Sequence, residues 1–351
     1  ESSQISASSL MSAEADATVL ADLFFRDSGC RKTLQSQAPT SAAPASGGEL
    51  LFAVKRMPND WVCESHAKFV EAHPGETECP WTDIGCLQYL NDISFPYVCK
   101  LRGVFKDSSS TYVVSSLASQ GDLLSWAGKL PLAPGRAREA LIRPLLVQAA
   151  MALSQLHSLS IAHRDVSVEN ILVNQEQDGS LAVKLVDFGA ASIEQFQTRR
   201  SGKKSYQSPE QHSSKVSGKA YDAYLSDAFA LGVVAYVALL KEYPWQSTVS
   251  GQCKSFDYVE RRGLRAFLCK KKLAGSSDRA AQALSDEALE FLEALLALDP
   301  EDRRPICDPA TRSHEDDEPG QMKPSISELP WMQRDFTPKG PRAWHGLAVR
   351  G

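Results

Sequence analysis

Three short polar blocks, each beside an apolar segment, follow one another along this chain in a fixed order. Lys55 lies in the strand-like run FAVK, HRDVSVEN covers residues 163–170 after a long apolar helix pattern, and DFG covers residues 187–189 after the run LAVKLV. A strand lysine or a DFG triplet is uninformative alone, because such residues are common on protein surfaces. In this order and spacing, the blocks together carry a signal that none of them carries alone.

Composition indicates a folded globular chain and excludes several classes of function. The 351 residues are 43% hydrophobic and 23% charged, which is ordinary for globular domains. The chain has 43 acidic against 38 basic residues, so it offers no net positive field and we expect no nucleic-acid partner. The longest uncharged apolar run, residues 228–240, is too short for a bilayer, so we expect a buried helix and no transmembrane segment.

The start of the chain and its cysteines bear on the cellular compartment. The first residues, ESSQISASS, lack the basic start and apolar core of a signal peptide, and an initial Glu suggests processing. Eight cysteines without a CxxC pair argue against zinc and leave two alternatives, disulfides or buried thiols; they are Cys30, Cys63, Cys79, Cys86, Cys99, Cys253, Cys269 and Cys307. We expect an oxidising compartment.

The local pattern changes from mixed to mainly helical near residues 116–120. Helix formers predict a helix over 13–27, and the Ala/Ser/Pro/Gly-rich stretch 35–48 predicts a flexible loop. The run ELLFAVKRM predicts a strand, residues 60–91 predict two helices, and VCKLRGVF with TYVVSSL predicts a strand pair. Helical periodicity follows from Gly121 onward, so we expect an α+β chain with two lobes.

These blocks resemble those of a eukaryotic-type protein kinase, and the resemblance covers residues 50–331. YQSPE at 206–210 is similar to the end of the activation segment, and SDAFALG at 226–232 is similar to the buried helix that anchors it. DPEDRRP at 299–305 resembles the region whose arginine pairs with Glu210. The resemblance implies a two-lobed kinase fold that uses Mg²⁺ and ATP.

The largest departure from the kinase pattern precedes Lys55. Kinases carry two strands and a GxGxxG loop there, but the only glycines between Met11 and Lys55 are Gly29, Gly47 and Gly48. Without closely spaced glycines, backbone N–H groups cannot cradle phosphates. The absent loop and HRDVSVEN resemble the With-No-Gly-loop kinases, a divergent family secreted by apicomplexan parasites and related to rhoptry kinases, with some pseudokinase members. That resemblance implies secretion, to the lumen or wall of the parasitophorous vacuole.

The resemblance also implies a division of the chain. We expect a partly helical N-terminal extension, the flexible loop, a reduced N-lobe without a glycine-rich loop, a mainly helical C-lobe and a C-terminal tail. The expected boundaries, in the same order, are 1–34, 35–48, 49–118, 119–332 and 333–351.

Four matched residues carry the catalytic roles that the resemblance implies. Lys55 would hold the ATP phosphates as a point charge, and Asp165 would accept the proton of the substrate hydroxyl. Asp187 and Asn170 would each bind Mg²⁺ through side-chain oxygen. Positioning and charge neutralisation would then supply the catalysis, as phosphoryl transfer requires.

Alignment with kinases also predicts nucleotide contacts between the lobes. Ser115 falls at the gatekeeper position, and Ser116 to Ala118 fall at the hinge that faces adenine. Asp122 falls where kinases hydrogen-bond the ribose, and Leu172 is a further expected contact.

The acidic partner of Lys55 is not at its usual place. Counting back from Pro96 with kinase spacing lands on Cys86, whereas Asp83 lies three residues earlier on the same helical face and is the best substitute. The segment is longer than usual, which leaves three alternatives, Glu64, Glu71 and Glu78.

The 163–170 block departs from the pattern at Ser167, where Ser/Thr kinases usually carry a lysine that touches the transferring phosphate. One cation is therefore missing. Arg164 would meet a phosphorylated residue, whereas His163 is predicted to be a satisfied core histidine. The stretch TRRSGKKS is either a solvated basic loop or a phosphosite that attracts acidic substrates, at Thr198, Ser201 or Ser205.

Two functions of different class follow. The first is a secreted Mg-ATP-dependent protein Ser/Thr kinase without a glycine-rich loop; the alternative is a pseudokinase scaffold with little or no catalysis. Either implies protein substrates or a protein partner, and we expect a monomer. Residues 261–272 predict an amphipathic surface helix, with peripheral membrane contact or an acidic partner as the minority interpretation.

Overall fold

The computed structural model of the chain describes residues 51–212, 218–307 and 323–333. The helix expected over 13–27, the loop expected over 35–48 and Cys30 lie outside these residues. The chain divides into two compact units. The described residues of the first unit are 51–95, 100–117 and 188–194. Those of the second are 96–99, 118–187, 195–212, 218–307 and 323–333.

The first unit combines an antiparallel sheet with helices. Its described elements are β1 Phe52–Pro58, α1 Asn59–Val62, α2 His66–Ala72, α3 Pro80–Asp92, β2 Leu101–Lys106 and β3 Ser110–Ser116. The strand order is β1-β3-β2, so the predicted strand pair β2–β3 is formed and β1 pairs with the other edge of β3. Met57 is the one buried residue of β1, and it packs with Val62, Ile84 and Val113.

The sequence predicts two helices between β1 and β2, but the structure forms three. Cys63 adopts a φ of 60°, which ends α1 after one turn. Ser65 caps α2 by accepting from the Lys68 N–H group, and Pro80 opens α3 at a position where its missing N–H group is no loss. The last helix is the one that carries Asp83.

The second unit is mainly helical. Its described elements are α4 Leu123–Lys129, α5 Arg136–Ser158, β4 Ile171–Gln175, β5 Leu181–Leu185, β6 Phe196–Gln197, β7 Tyr221–Asp222, α6 Ala223–Leu240, α7 Lys254–Arg262, α8 Leu264–Lys270, α9 Ala280–Ala283, α10 Asp286–Leu295, a 3-10 turn Ile326–Glu328 and α11 Pro330–Gln333. The strands form two antiparallel pairs, β4–β5 and β6–β7.

Helix α6 is the predicted apolar helix, and it lies in the core of the second unit. Asp222 caps it by accepting from the N–H groups of Tyr224 and Leu225. By length and hydropathy α6 is the one helix among the described residues that could span a membrane, and 94% of it is buried. Such burial is typical of the central helix of a folded domain.

The single amphipathic helix predicted over 261–272 is not formed. Gly263 has a φ of 83°, which ends α7 and separates it from α8. Of the basic residues of this stretch, Arg261 and Arg262 therefore end α7, Arg265 and Lys270 lie on α8, and Lys271 and Lys272 follow α8. One of them, Arg265, is paired with Glu293.

The C-terminal part of the second unit is fastened to α5. Glu139 accepts hydrogen bonds from the backbone and side chain of Ser285 and from the indole N–H group of Trp331. The Trp331 ring stacks on Phe291 with 4.3 Å between centroids, and Arg143 Nε donates to the Trp331 carbonyl. These contacts hold α11 in the core.

The expected disulfides are not found in the described part of the chain. No disulfide joins any two of its seven cysteines. Cys86 is fully buried in α3, and this burial, together with the nearby Asp83 carboxylate, raises the pKa of its thiol. The described cysteines thus fit the alternative of thiols and give no support for an oxidising compartment.

Candidate active site

The 163–170 loop of the second unit is held by a buried carboxylate on α6. Asp227 accepts from the backbone N–H groups of His163 and Arg164, each at 2.8 Å, and lies 2.9 Å from Nε2 of His157. Only 1% of Asp227 is exposed, and a buried carboxylate requires such partners. Sequence reasoning quoted its motif but missed this role, although Asp227 is the only charged residue between residues 226 and 240.

Asp165 is held in the same loop by Asn170. The Asn170 Nδ2 atom donates to the Asp165 carbonyl at 2.8 Å and to Asp165 Oδ2 at 2.7 Å. Both residues are 7% exposed. With its amide nitrogen used in this way, Asn170 keeps its Oδ1 atom as an acceptor for another group.

His163 is a satisfied core histidine, as predicted. It is 1% exposed, its Nε2 atom lies 3.2 Å from the Val186 carbonyl, and its Nδ1 atom accepts from the Asp165 N–H group. Asp187, which follows β5, adopts a φ of 68°, an uncommon conformation for a residue with a Cβ atom. The N–H group of the preceding Val186 donates to the Asn170 carbonyl at 3.1 Å.

This backbone bond brings the chain at Asp187 beside Asn170. A carboxylate and an amide oxygen are hard ligands of the type that Mg²⁺ prefers. The residues present therefore fit the magnesium ion that the sequence implies. The described residues contain no cluster of three or more His, Cys, Asp or Glu that could hold a metal without other ligands.

In the first unit, the ion pair expected for Lys55 is formed with Asp83. Lys55 Nζ lies 2.7 Å from Asp83 Oδ2, while Asp83 Oδ1 accepts from the Phe188 backbone N–H group at 2.8 Å. The Asp83 side chain is 10% exposed against 47% for Lys55. Of the alternatives, Glu71 pairs with Lys68 in α2. One buried carboxylate thus serves a lysine and the DFG backbone together.

The remaining predicted nucleotide contacts fall in both units. Ser115 and Ser116 are at the end of β3 in the first unit. In the second unit Ala118 is buried, and a β-bridge brings Asp122 to Leu172. The Asp122 carboxylate caps α4, because it accepts from the backbone N–H and hydroxyl groups of Ser125.

The segment over residues 201–212 is fastened to the body of the second unit. Glu210 forms the expected pair with an arginine, Arg303, whose Nη1 atom lies 2.5 Å from Glu210 Oε1. Gln211 Nε2 donates to Ser226 Oγ at 2.7 Å. Of the three candidate phosphosites, Ser201 is buried, with 4% of the residue exposed. Arg164 Nη2 donates to the carbonyl of Arg199, which follows the candidate phosphosite Thr198 in the chain.

Sequence reasoning missed Lys203, which reaches the 163–170 loop from this segment. Its Nζ atom lies 2.8 Å from Ser167 Oγ, 3.4 Å from Asp165 Oδ2 and 3.8 Å from Glu169 Oε2. The available signal was indirect. Residues 165–170 contain no Lys, Arg or His, whereas TRRSGKKS is basic.

Comparisons with known proteins agree with this arrangement. Serine/threonine-protein kinase RAD53 of Saccharomyces cerevisiae is 29% identical over 231 residues, which cover 62% of this chain and 26% of that protein. CBL-interacting protein kinase 4 of Oryza sativa subsp. japonica is 33% identical over 174 residues, covering 47% and 36%. Aurora kinase of Saccharomyces cerevisiae is 28% identical over 225 residues, covering 63% and 53%.

The chain thus spans from about a quarter to about half of the length of these relatives. The family model for the protein kinase domain matches residues 63–312, which is more than half of the chain and begins after Lys55. The α+β content, with a three-stranded sheet in one unit and a mainly helical second unit, fits a kinase-like fold. On these grounds the chain belongs to the protein kinase domain family.

Proposed function

We propose that the chain is a Mg-ATP-dependent protein kinase that transfers the γ-phosphoryl group of ATP to Ser or Thr hydroxyls of protein substrates. The observation that carries this proposal is the buried Asp165 carboxylate, which Asn170 orients within 2.7 Å. A carboxylate fixed in this way is suited to accept the proton of an attacking hydroxyl. Orientation of this kind is most of what a protein contributes to phosphoryl transfer.

The other site residues contribute charge and orientation. Lys55 binds phosphate oxygens, and Asp83 keeps its side chain directed by the ion pair at 2.7 Å. Asp187 and the Oδ1 atom of Asn170 are the residues that would hold Mg²⁺. When bound, the metal neutralises phosphate charge during transfer.

Nucleotide binding and phosphate transfer test the proposal together. Mg-ATP at about 100 times its Kd is expected to stabilise the fold by about 2.7 kcal/mol, visible as a raised Tm. Transfer to casein is expected to fall by about 100-fold or more in Asp165→Asn, because the proton acceptor is lost. The control Asp278→Asn changes an exposed aspartate and is expected to keep the activity.

A pseudokinase scaffold is the second candidate, and one observation favours it. Both Asp165 oxygens already accept hydrogen bonds, Oδ1 from the Lys203 N–H group and Oδ2 from Asn170 and Lys203 Nζ. A carboxylate so occupied is less available to a substrate hydroxyl. If the wild type binds Mg-ATP but transfers no more phosphate than Asp165→Asn does, the scaffold replaces the kinase as the proposed function.

The narrower resemblance to With-No-Gly-loop kinases adds that the phosphates are held without a glycine-rich loop and that the protein is secreted. Two observations support the first point. Between Met11 and Lys55 the chain has one isolated glycine, Gly29, and one adjacent pair, Gly47 and Gly48, and the family match begins at residue 63. If Gly47 and Gly48 do not cradle phosphate, replacing both by alanine is expected to change the Kd for Mg-ATP by less than about twofold. A tenfold weaker affinity would contradict it.

A further inference from the structure

We propose that Lys203 supplies the positive charge of the 163–170 loop from outside that loop: its ammonium group orients Asp165 and, in the reaction, neutralises the transferring phosphoryl group. This proposal rests on the kinase activity proposed above. Within the loop, the Arg164 side chain donates to the Arg199 carbonyl, and residues 165–170, which read DVSVEN, carry no cation. Lys203 Nζ instead lies 2.8 Å from Ser167 Oγ and 3.4 Å from Asp165 Oδ2.

The backbone at Lys203 is fixed against the loop that it serves. Its N–H group donates to Asp165 Oδ1 at 3.2 Å. The preceding Gly202 has a φ of 77°, and a Cβ atom there would lie 2.8 Å from the Arg164 carbonyl oxygen and 3.1 Å from Asp165 Oδ1. A glycine is therefore required for this close approach, which brings Lys203 to the carboxylate through both backbone and side chain.

The residues after Lys203 are held as firmly. Gln207 Nε2 donates to the Gly202 carbonyl at 2.9 Å, and Trp245 Nε1 donates to the Ser205 carbonyl at 3.1 Å. The Tyr206 hydroxyl accepts from the Val168 N–H group at 3.3 Å. Burial and the hydrogen bond to Tyr243 raise the pKa of Tyr206, so this hydroxyl stays neutral. Position 203 is thus held from both sides, and mainly its side chain is left to move.

The Lys203 side chain can move, as the proposed contact with the phosphoryl group requires. Lys203 is 44% exposed, and its ammonium group is shared by Ser167, Asp165 and Glu169 rather than buried with one of them. A lysine is a point charge on a flexible stem, so it can turn from Ser167 Oγ towards a phosphate oxygen while it stays beside Asp165. The surrounding acidic groups keep the ammonium ion in this region.

The proposed role can be written with its atoms and electrons balanced. The acceptor hydroxyl oxygen forms a bond to the γ-phosphorus, while the bond from that phosphorus to the β,γ-bridging oxygen breaks and ADP leaves with its electron pair. The hydroxyl proton goes to Asp165. Lys203 gains and loses no proton; its charge offsets the negative charge that develops on the phosphoryl oxygens and bridging oxygen.

The test compares two adjacent exposed lysines and one exchange of side chains. Lys203→Met removes the charge and keeps an unbranched side chain of nearly the same length, whereas Lys204→Met is the matched control. The double variant Ser167→Lys/Lys203→Ser exchanges the two side chains, so the ammonium group is now carried by residue 167. Each protein is assayed for kcat and KM with Mg-ATP and casein, for Mg-ATP affinity by calorimetry, and for Tm.

We expect kcat to fall by about 100-fold in Lys203→Met, with KM for ATP changed by less than about threefold, because the charge acts mainly in the transition state. Lys204→Met is expected to keep the wild-type kcat. The exchange variant is expected to regain at least about tenfold over Lys203→Met, which a merely structural role of Lys203 would not produce.

Two outcomes would overturn the proposal alone. The first is a kcat in Lys203→Met equal to that of the wild type at an equal Tm. The second is a raised kcat, which would make Lys203 a lock on Asp165. A wild-type protein that binds Mg-ATP but transfers no phosphate would overturn the proposed function and this inference with it. If the exchange variant does not fold, Lys203→Arg, which keeps a positive charge at position 203, provides the comparison with Lys203→Met.

Discussion

Each unit holds a lysine against an aspartate, but the two contacts are built differently. In the first unit Lys55 meets Asp83 at 2.7 Å, and the second oxygen of that carboxylate is taken by the Phe188 N–H group. In the second unit the ammonium group of Lys203 is shared among three acceptors, the nearest being Ser167 Oγ at 2.8 Å.

The difference teaches how sequence supplies each contact. The first comes from two regular elements, β1 and α3, whose spacing fixes where the side chains point. The second depends on a glycine turn and a clamped segment. We expect the first pair to fix geometry and the second to supply a movable charge.

The largest expected effect comes from breaking the ion pair that fastens the 201–212 segment, which carries Lys203, to the second unit. Arg303→Met breaks the ion pair with Glu210 and leaves that carboxylate next to buried surface, which is expected to lower the free energy of unfolding by about 3–5 kcal/mol. The control is Arg265→Met, whose pair with Glu293 is exposed and is expected to contribute about 0–1 kcal/mol. Urea denaturation measures both. Equal losses would show that burial does not distinguish the two pairs.

The next prediction breaks the contact of the first unit. Asp83→Ala leaves Lys55 undirected and the Phe188 N–H group without this acceptor, so kcat/KM for ATP is expected to fall by about 100-fold. Glu71→Ala is the matched control, because Glu71 was an alternative partner and pairs with Lys68. Its kcat/KM is expected to stay within about twofold. A large loss in Glu71→Ala with none in Asp83→Ala would invert the assignment.

A third prediction concerns the turn that brings Lys203 to Asp165. Gly202→Ala combines an unfavourable positive φ with a contact of 2.8 Å to backbone, whereas Gly179→Ala has a positive φ and nothing within 4 Å. The conformational penalty alone is about 1–2 kcal/mol in each variant. We expect Gly202→Ala to lose more stability than Gly179→Ala in urea, and to lower kcat. Identical losses and unchanged kcat would mean that the close approach is unimportant.

The smallest expected effect is that of the Lys203 charge on the stability of the second unit. Lys203→Met is expected to change the free energy of unfolding by less than about 1 kcal/mol, since the lysine is nearly half exposed. That small change should shrink further in 1 M NaCl, where exposed charges are screened. Urea denaturation at low and high salt checks it. A loss above about 3 kcal/mol would indicate a structural pair instead.

Much of the fold and part of the site could be predicted from sequence because they depend on periodicity or on short motifs. The apolar run over 228–240 predicted the buried helix α6, and helical spacing from Cys86 selected Asp83 for Lys55. The motif around residues 299–305 predicted an arginine for Glu210, and the structure identifies Arg303.

What sequence did not supply depends on the path of loops. Lys203 and Ser167 are 36 residues apart, and no periodicity relates them. Likewise the positive φ of Gly263 splits a stretch that reads as one amphipathic helix. Cys63 also ends a helix by a local conformation that its residue type does not announce. In the last two cases a single backbone torsion, rather than a pattern, decides where a helix ends.

The shared carboxylate of Asp83 has a thermodynamic consequence. Since Lys55 and the Phe188 N–H group bind opposite oxygens of one side chain, any ligand that draws the lysine away also changes how strongly the DFG backbone is held. Linkage is reciprocal, so a change in how the DFG backbone is held must alter ligand binding at Lys55 by the same factor. The two sites would therefore report on each other in equilibrium titrations.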